Sequence, residues 1–181
     1  HDDYVRFHHK VIDEVNRHVP VTNICSIDEV ACRLMDNENS PAAVAALATA
    51  IKAGLNANVG ECLTASIGVA SNRLLAKMAA DMKKPDGFTI LTEDVRRARL
   101  ERLPLSDIPG VGRAMEKRLA AAGLVTMAQL LAMSPAQARS AWGSVWGERL
   151  HRLLNGHEVA DVETQRRSIG HSHVLGPEKR L

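Results

Sequence analysis

Ser66-Ile67-Gly68-Val69-Ala70-Ser71-Asn72-Arg73-Leu74-Leu75-Ala76-Lys77-Met78-Ala79-Ala80-Asp81-Met82-Lys83-Lys84-Pro85-Asp86-Gly87 is the stretch on which the fold turns. Leu63 to Ala70 is rich in Thr, Ile and Val, which suit a pleated, half-buried surface, and predicts a strand. Ser71-Asn72 then offers side-chain oxygens to the free N–H groups of a following helix. The apolar positions of that helix are Leu74, Leu75, Met78 and Ala79. Lys84-Pro85-Asp86-Gly87 is a turn signal, and Phe88 to Leu91 forms a last short strand. The backbone period thus changes twice within one short stretch.

Toward the N-terminus, Val5, His8, Val11, Ile12, Val15 and Val19 recur at helical spacing over residues 2–19 and stop at Pro20. Val21 to Ile27 and Val30 to Met35 are β-prone runs that read as the two strands of a hairpin. Ser40-Pro41 starts a helix with proline at its first position, running to about Asn56–Asn58. The order helix, strand, strand, helix, strand, helix, strand predicts an α+β domain with helices on one face of an antiparallel sheet.

Between the hairpin strands lies Cys25-Ser26-Ile27-Asp28-Glu29. Two ionised acids beside an apolar run are what a divalent metal site needs, because hard cations take oxygen ligands. Neighbouring residues on a strand face opposite sides, so one acid would face the site and the other would approach from the flank. Taken alone, an Asp-Glu pair is most often a solvated acidic turn.

Beyond Leu103-Pro104 the pattern is wholly helical. Ile108-Pro109-Gly110-Val111-Gly112 precedes an amphipathic helix from Arg113 to Ala122, which Gly123 terminates. Thr126 and Ser134 cap two further short helices. A Gly-x-Gly turn between short helices leaves the next helix's first N–H groups free, at the positive end of its dipole, to hold a phosphate oxygen without reading a base. Such a turn can also be only a tight connection. Arg113, Lys117 and Arg118 just after it favour contact with a DNA backbone.

The chain's 181 residues, 45% hydrophobic but only 3% aromatic, call for aliphatic cores. No apolar stretch reaches the roughly 20 residues of a membrane span, and the N-terminus has no signal-peptide pattern. Cys25, Cys32 and Cys62 lack metal-type spacing, which predicts reduced thiols serving as small apolar residues in a cytoplasmic protein. Residues 1–95 hold 9 Lys and Arg against 13 Asp and Glu, whereas residues 96–181 hold 14 against 8. The basic second half suits phosphate backbones.

Three segments, Ser26 to Glu29, Ser66 to Gly87 and Ile108 to Gly112, occur in the order found in the Y-family translesion DNA polymerases, of the UmuC and DinB type, and closely resemble them. The resemblance implies residues 1–102 as part of a palm and residues 103–163 as a thumb carrying a helix-hairpin-helix. It makes residues 164–181 a linker and the start of a little-finger domain, which Ser168-Ile169-Gly170-His171-Ser172-His173 looks like the opening of. Carried over, Asp28 would bind both catalytic Mg²⁺ ions. Glu29 would be the second metal-binding and catalytic acid, Lys84 would contact the incoming triphosphate, and Gly110, Val111, Gly112 and Arg113 would hold DNA. The implied partners are primer-template DNA, a deoxynucleoside triphosphate and a sliding clamp reached through regions outside this chain, with no membrane. The implied role is nucleotidyl transfer in translesion synthesis and DNA repair.

The family's first strand, with another metal-binding Asp and the steric-gate aromatic, and its fingers cannot be placed here. The expectation is therefore an inactive fragment of an active parent, starting inside the helix after the fingers. The family pattern after Ser-Ile-Asp-Glu is also altered, to Val30-Ala31-Cys32-Arg33-Leu34-Met35-Asp36. A second reading is a non-catalytic DNA-binding relative, and intact Asp28, Glu29 and Lys84 argue against it. Asn72 reads as a helix cap, and Lys77 as either a solvated charge or a palm contact. His8-His9 and His171-x-His173 lack a third ligand. Trp142 and Trp146, at i and i+4, read as helix packing.

Overall fold

The computed structural model describes residues 2–160 and 170. The elements are α1 (Asp2–Asn16), β1 (Val21–Ile24), β2 (Val30–Cys32), α2 (Pro41–Asn58), β3 (Ile67–Ala70), α3 (Arg73–Asp81), β4 (Phe88–Leu91), α4 (Glu93–Leu100), α5 (Arg113–Ala121), α6 (Met127–Ala132), α7 (Pro135–Trp142) and α8 (Val145–Leu154), with a 3₁₀ turn at Leu105–Asp107. Residues 164–181, assigned above to a linker and a further domain, lie outside the described residues apart from Gly170.

Local chemistry sets most of these boundaries. Ser40 accepts from the Ala43 amide at the start of α2, and Asn72 does the same for Leu75 at the start of α3. Thr126 and Ser134 form complete capping boxes with Gln129 and Gln137, which satisfies two otherwise unpaired amides at each helix start. Gly123, in the left-handed region at φ 78°, follows α5 as expected.

The strand pairing departs from the single antiparallel sheet. β1 and β2 pair antiparallel, with Ile24 opposite Val30. β3 and β4 form a separate two-stranded sheet and run parallel, from Ile67 opposite Phe88 to Ala70 opposite Leu91. The connection explains this: residues 71–87 contain α3, and a helical crossover brings the chain back to the end where β3 began. α3 lies so close on β3 that a Cβ at Gly68 would stand 2.0 Å from the Ala76 carbonyl oxygen.

The buried side chains form two clusters. Val15, Val19, Ile51 and Leu55 centre the first, where α1 and α2 meet the hairpin. Leu75, Met78, Leu100, Leu119, Leu130 and Leu150 belong to the second, which runs without a break from α3 across residues 102 and 103 into the last helices. Asn72 adds a polar tie across the same junction. Its Nδ2 donates to the carbonyls of Leu153 at 2.8 Å and His157 at 3.1 Å while its Oδ1 caps α3.

Three smaller expectations change. Trp142 ends α7 and is buried, whereas Trp146 lies in the first turn of α8 and is 46% exposed, because Gly143 in the left-handed region breaks the helix between them. Of the thiols, only Cys32 is partly buried in a core; Cys25 and Cys62 are exposed. α4 was not foreseen, although Thr92 before it, acids in its first turn and arginines in its last suit the helix dipole. Among the described residues no helix is long and apolar enough to cross a membrane.

Candidate active site and nucleic-acid interface

Asp28 and Glu29 stand on the five-residue loop that joins β1 to β2, not on strand positions with opposite faces. The loop is built from its own groups. The Glu29 carbonyl accepts from the amides of Cys25 at 2.8 Å and Ser26 at 3.1 Å, and the Ser26 hydroxyl donates to Asp28 Oδ1 at 2.6 Å. From outside, His8 on α1 donates from Nδ1 to the Ile27 carbonyl at 2.7 Å. The acid loop is therefore tied to α1 through a histidine for which the sequence suggested no such contact.

Across from the loop, α3 and the residues just after it contribute cations. Lys77 Nζ donates to Glu29 Oε1 and lies 3.8 Å from Asp81 Oδ2. Lys84 Nζ is 2.6 Å from Asp81 Oδ1. The Ser26 hydrogen bond holds the Asp28 carboxyl below its ordinary pKa; partial desolvation opposes this and the charges of Lys84 and Lys77 add to it. The Glu29 contact raises the Lys77 pKa, so Lys77 is held as an ammonium. Asp28, Glu29 and Lys84, read from sequence, thus share one charged neighbourhood. Lys77 and Asp81 complete it, and their i,i+4 spacing on α3 was the available signal.

The second candidate surface begins α5. Gly110 has φ 89°, a left-handed conformation that favours glycine. Gly112 is the N-cap with an ordinary φ of −94° and no side-chain cap. A Cβ at either glycine would meet nothing within 4 Å. Neither residue is small for the sake of internal packing, since the space beside each is open. Val111, in contrast, is buried and its amide donates to the Ile108 carbonyl, so it supports the turn from inside. Arg113 and Lys117 are exposed. Arg118 is exposed too and lies against Gly143, where an added Cβ would come within 1.9 Å of its guanidinium.

Two family profiles match successive parts of the chain. The profile of the impB/mucB/samB family matches residues 1–81, and that of the DNA polymerase-iota thumb domain matches residues 106–158. The chain is 36% identical to DNA polymerase IV of Methanoculleus marisnigri over 149 residues, covering 82% of this chain and 40% of that protein. It is 32% identical to DNA polymerase IV of Moorella thermoacetica, covering 97% of this chain and 44% of that protein.

This chain belongs to the Y-family of DNA polymerases.

Solved structures of the family superpose on most of it. An insertion ternary complex of Dbh DNA polymerase matches with a TM-score of 0.75 and 26% identity over 90% of this chain. A DinB family error-prone DNA polymerase from Sulfolobus solfataricus matches with a TM-score of 0.74 and 26% identity. The chain covers 47% and 48% of those two chains. It therefore spans under half the length of these family members.

Proposed function

We propose that the parent protein is a template-directed DNA polymerase that copies damaged templates, and that this chain supplies part of its palm and its thumb. The observation that carries this reading is the meeting of the Asp28-Glu29 loop with Lys77, Asp81 and Lys84 on and just after α3. Phosphoryl transfer to a primer asks for this combination: carboxylates for divalent ions, and a cation for the triphosphate. The substrates are primer-template DNA and a deoxynucleoside triphosphate. A sliding clamp would be reached through other regions, and the reading implies a cytoplasmic role in DNA repair.

The site's donors are of the right kind for Mg²⁺, being exposed or half-exposed carboxylates. They are few: Asp28 and Glu29 are the residues we assign to hold the ions, and one Glu29 oxygen already accepts from Lys77. Mg²⁺ completes such a shell with waters and substrate phosphates. Bound there, it would neutralise charge on the transferred phosphoryl group. The chain's own groups have separate tasks. Ser26 orients Asp28, His8 steadies the loop, and Lys84 meets the triphosphate.

We assign the palm to residues 1–102 and the thumb to residues 103–163. The continuous buried cluster from α3 to α8 supports a thumb seated firmly on the palm. Gly110, Gly112 and the first amides of α5 would hold a DNA backbone without sequence preference.

Primer extension by the full-length parent tests the proposal. The parent should add nucleotides in the presence of Mg²⁺, and Asp28→Ala or Glu29→Ala should lower that rate by orders of magnitude with DNA binding nearly intact. A full-length protein that binds DNA but extends no primer on any template would leave the alternative, a DNA-holding relative using only the α5 hairpin.

A further inference from the structure

Asp81 is oddly placed for an acid. It is the last residue of α3, where the helix dipole disfavours negative charge. Two ammonium groups compensate, and each meets a different oxygen of its carboxylate: Lys84 at Oδ1, 2.6 Å away, and Lys77 at Oδ2, 3.8 Å away. Lys77 also donates to Glu29. The side chains thus form a chain of alternating charge, Glu29, Lys77, Asp81, Lys84, which links the acid loop to the cation assigned to the incoming triphosphate.

We infer that Asp81 is a positioning residue that sets nucleotide affinity, by acting as the counter-ion of Lys84 whenever no triphosphate is bound. The inference rests on the polymerase reading for the task of Lys84. Its physical basis is competition. An ammonium paired with a carboxylate must loosen that pair to serve a phosphate, so the pair weakens nucleotide binding by about what it is worth. Lys84 and Asp81 are 57% and 36% exposed. Pairs this open correspond to about a two- to five-fold effect on a binding constant. Asp81 also draws Lys77 along α3, so one carboxylate spaces the cation of the acid pair from the cation of the nucleotide.

The test uses the full-length parent on a dideoxy-terminated primer-template, with a fluorescent deoxynucleoside triphosphate as the probe of ternary-complex formation. Asp81→Asn removes the charge and keeps the shape. It should tighten nucleotide binding about two- to five-fold, without lowering the melting temperature. Asp81→Glu should return the affinity toward that of the unmodified protein. In a Lys84→Ala background the gain from Asp81→Asn should disappear, because the two residues act through one pair. Unchanged or weakened nucleotide binding in Asp81→Asn overturns the inference, and so does a gain that survives Lys84→Ala. Primer extension by the unmodified parent and by Asp28→Ala, run alongside, decides the polymerase reading separately. A parent that extends normally while Asp81→Asn binds nucleotide as before sinks only the role of Asp81.

Discussion

Replacing Gly68 by alanine adds one methyl group at the closest approach of β3 and α3. The new Cβ would lie 2.0 Å from the Ala76 carbonyl oxygen, 2.3 Å from the Ala80 amide nitrogen and 2.9 Å from the Ala79 carbonyl carbon. All three are backbone atoms, so no side-chain rotation relieves the contact. Restoring ordinary separations of about 3.5 Å moves the helix roughly 1.5 Å from the strand. That shift opens gaps around Leu75, Met78 and Ala79, all fully buried in the core. Overpacking of this kind costs about 3 kcal/mol, toward the upper end of the usual range. Fewer unfolded conformations for alanine return about 0.4–1 kcal/mol. Sterics win, and the net loss is about 2–3 kcal/mol, or roughly 4–12 °C in melting temperature for a chain of this size. Urea denaturation of this chain, followed by far-UV circular dichroism, measures it. A variant within about 0.5 kcal/mol of the unmodified chain, the range of ordinary surface substitutions, would show that β3 and α3 do not pack as described.

Gly112→Ala is the matched contrast: with open space around it and an ordinary φ, it should leave melting within about 1 kcal/mol yet weaken duplex binding in an anisotropy titration. Binding of duplex DNA by this chain should fall steeply between low and physiological salt with no sequence preference, and a flat salt response would remove the α5 hairpin as a phosphate site. Glu14 is buried, and although burial opposes its ionisation, hydrogen bonds from His18 and Asn58 and the charge of Arg17 hold its pKa below the ordinary glutamate value. A carboxyl depressed in the folded state stabilises above its unfolded pKa and loses that contribution as pH falls through the folded value, so urea midpoints should drop below about pH 4.5. Glu14→Gln should be less stable at pH 7 and should flatten that acid limb; parallel pH curves for the two proteins would contradict the role. Lys84→Ala in the full-length parent should act mainly by raising the apparent Kd for the incoming nucleotide in pre-steady-state incorporation, and a pure loss of rate at unchanged affinity would count against its assignment.

How much was legible in the sequence follows from the range of the forces involved. Ser40, Asn72, Thr126 and Ser134 announce their helices because a cap acts on amides only two or three residues away, and each caps as read, three of them with side-chain to amide bonds of 3.2–3.3 Å and Asn72 with one of 3.0 Å. The strand at Phe88 to Leu91 and the turn before it were equally local. The family itself was legible, since three motifs in order carry it. Other features needed the folded chain. Parallel pairing of β3 with β4 was hidden because short apolar strands carry the same side-chain pattern in either direction, and only the crossover through α3 decides. The acid loop is clasped by His8, 19 residues before Ile27, and Glu29 meets Lys77 across 48 residues. Val111 turns inward although its glycine neighbours face open space. Residue types and spacing specify what a segment can offer to its near neighbours. Which distant charge it then meets is set by how α1, the hairpin and α3 pack, and that packing is a property of the whole buried core.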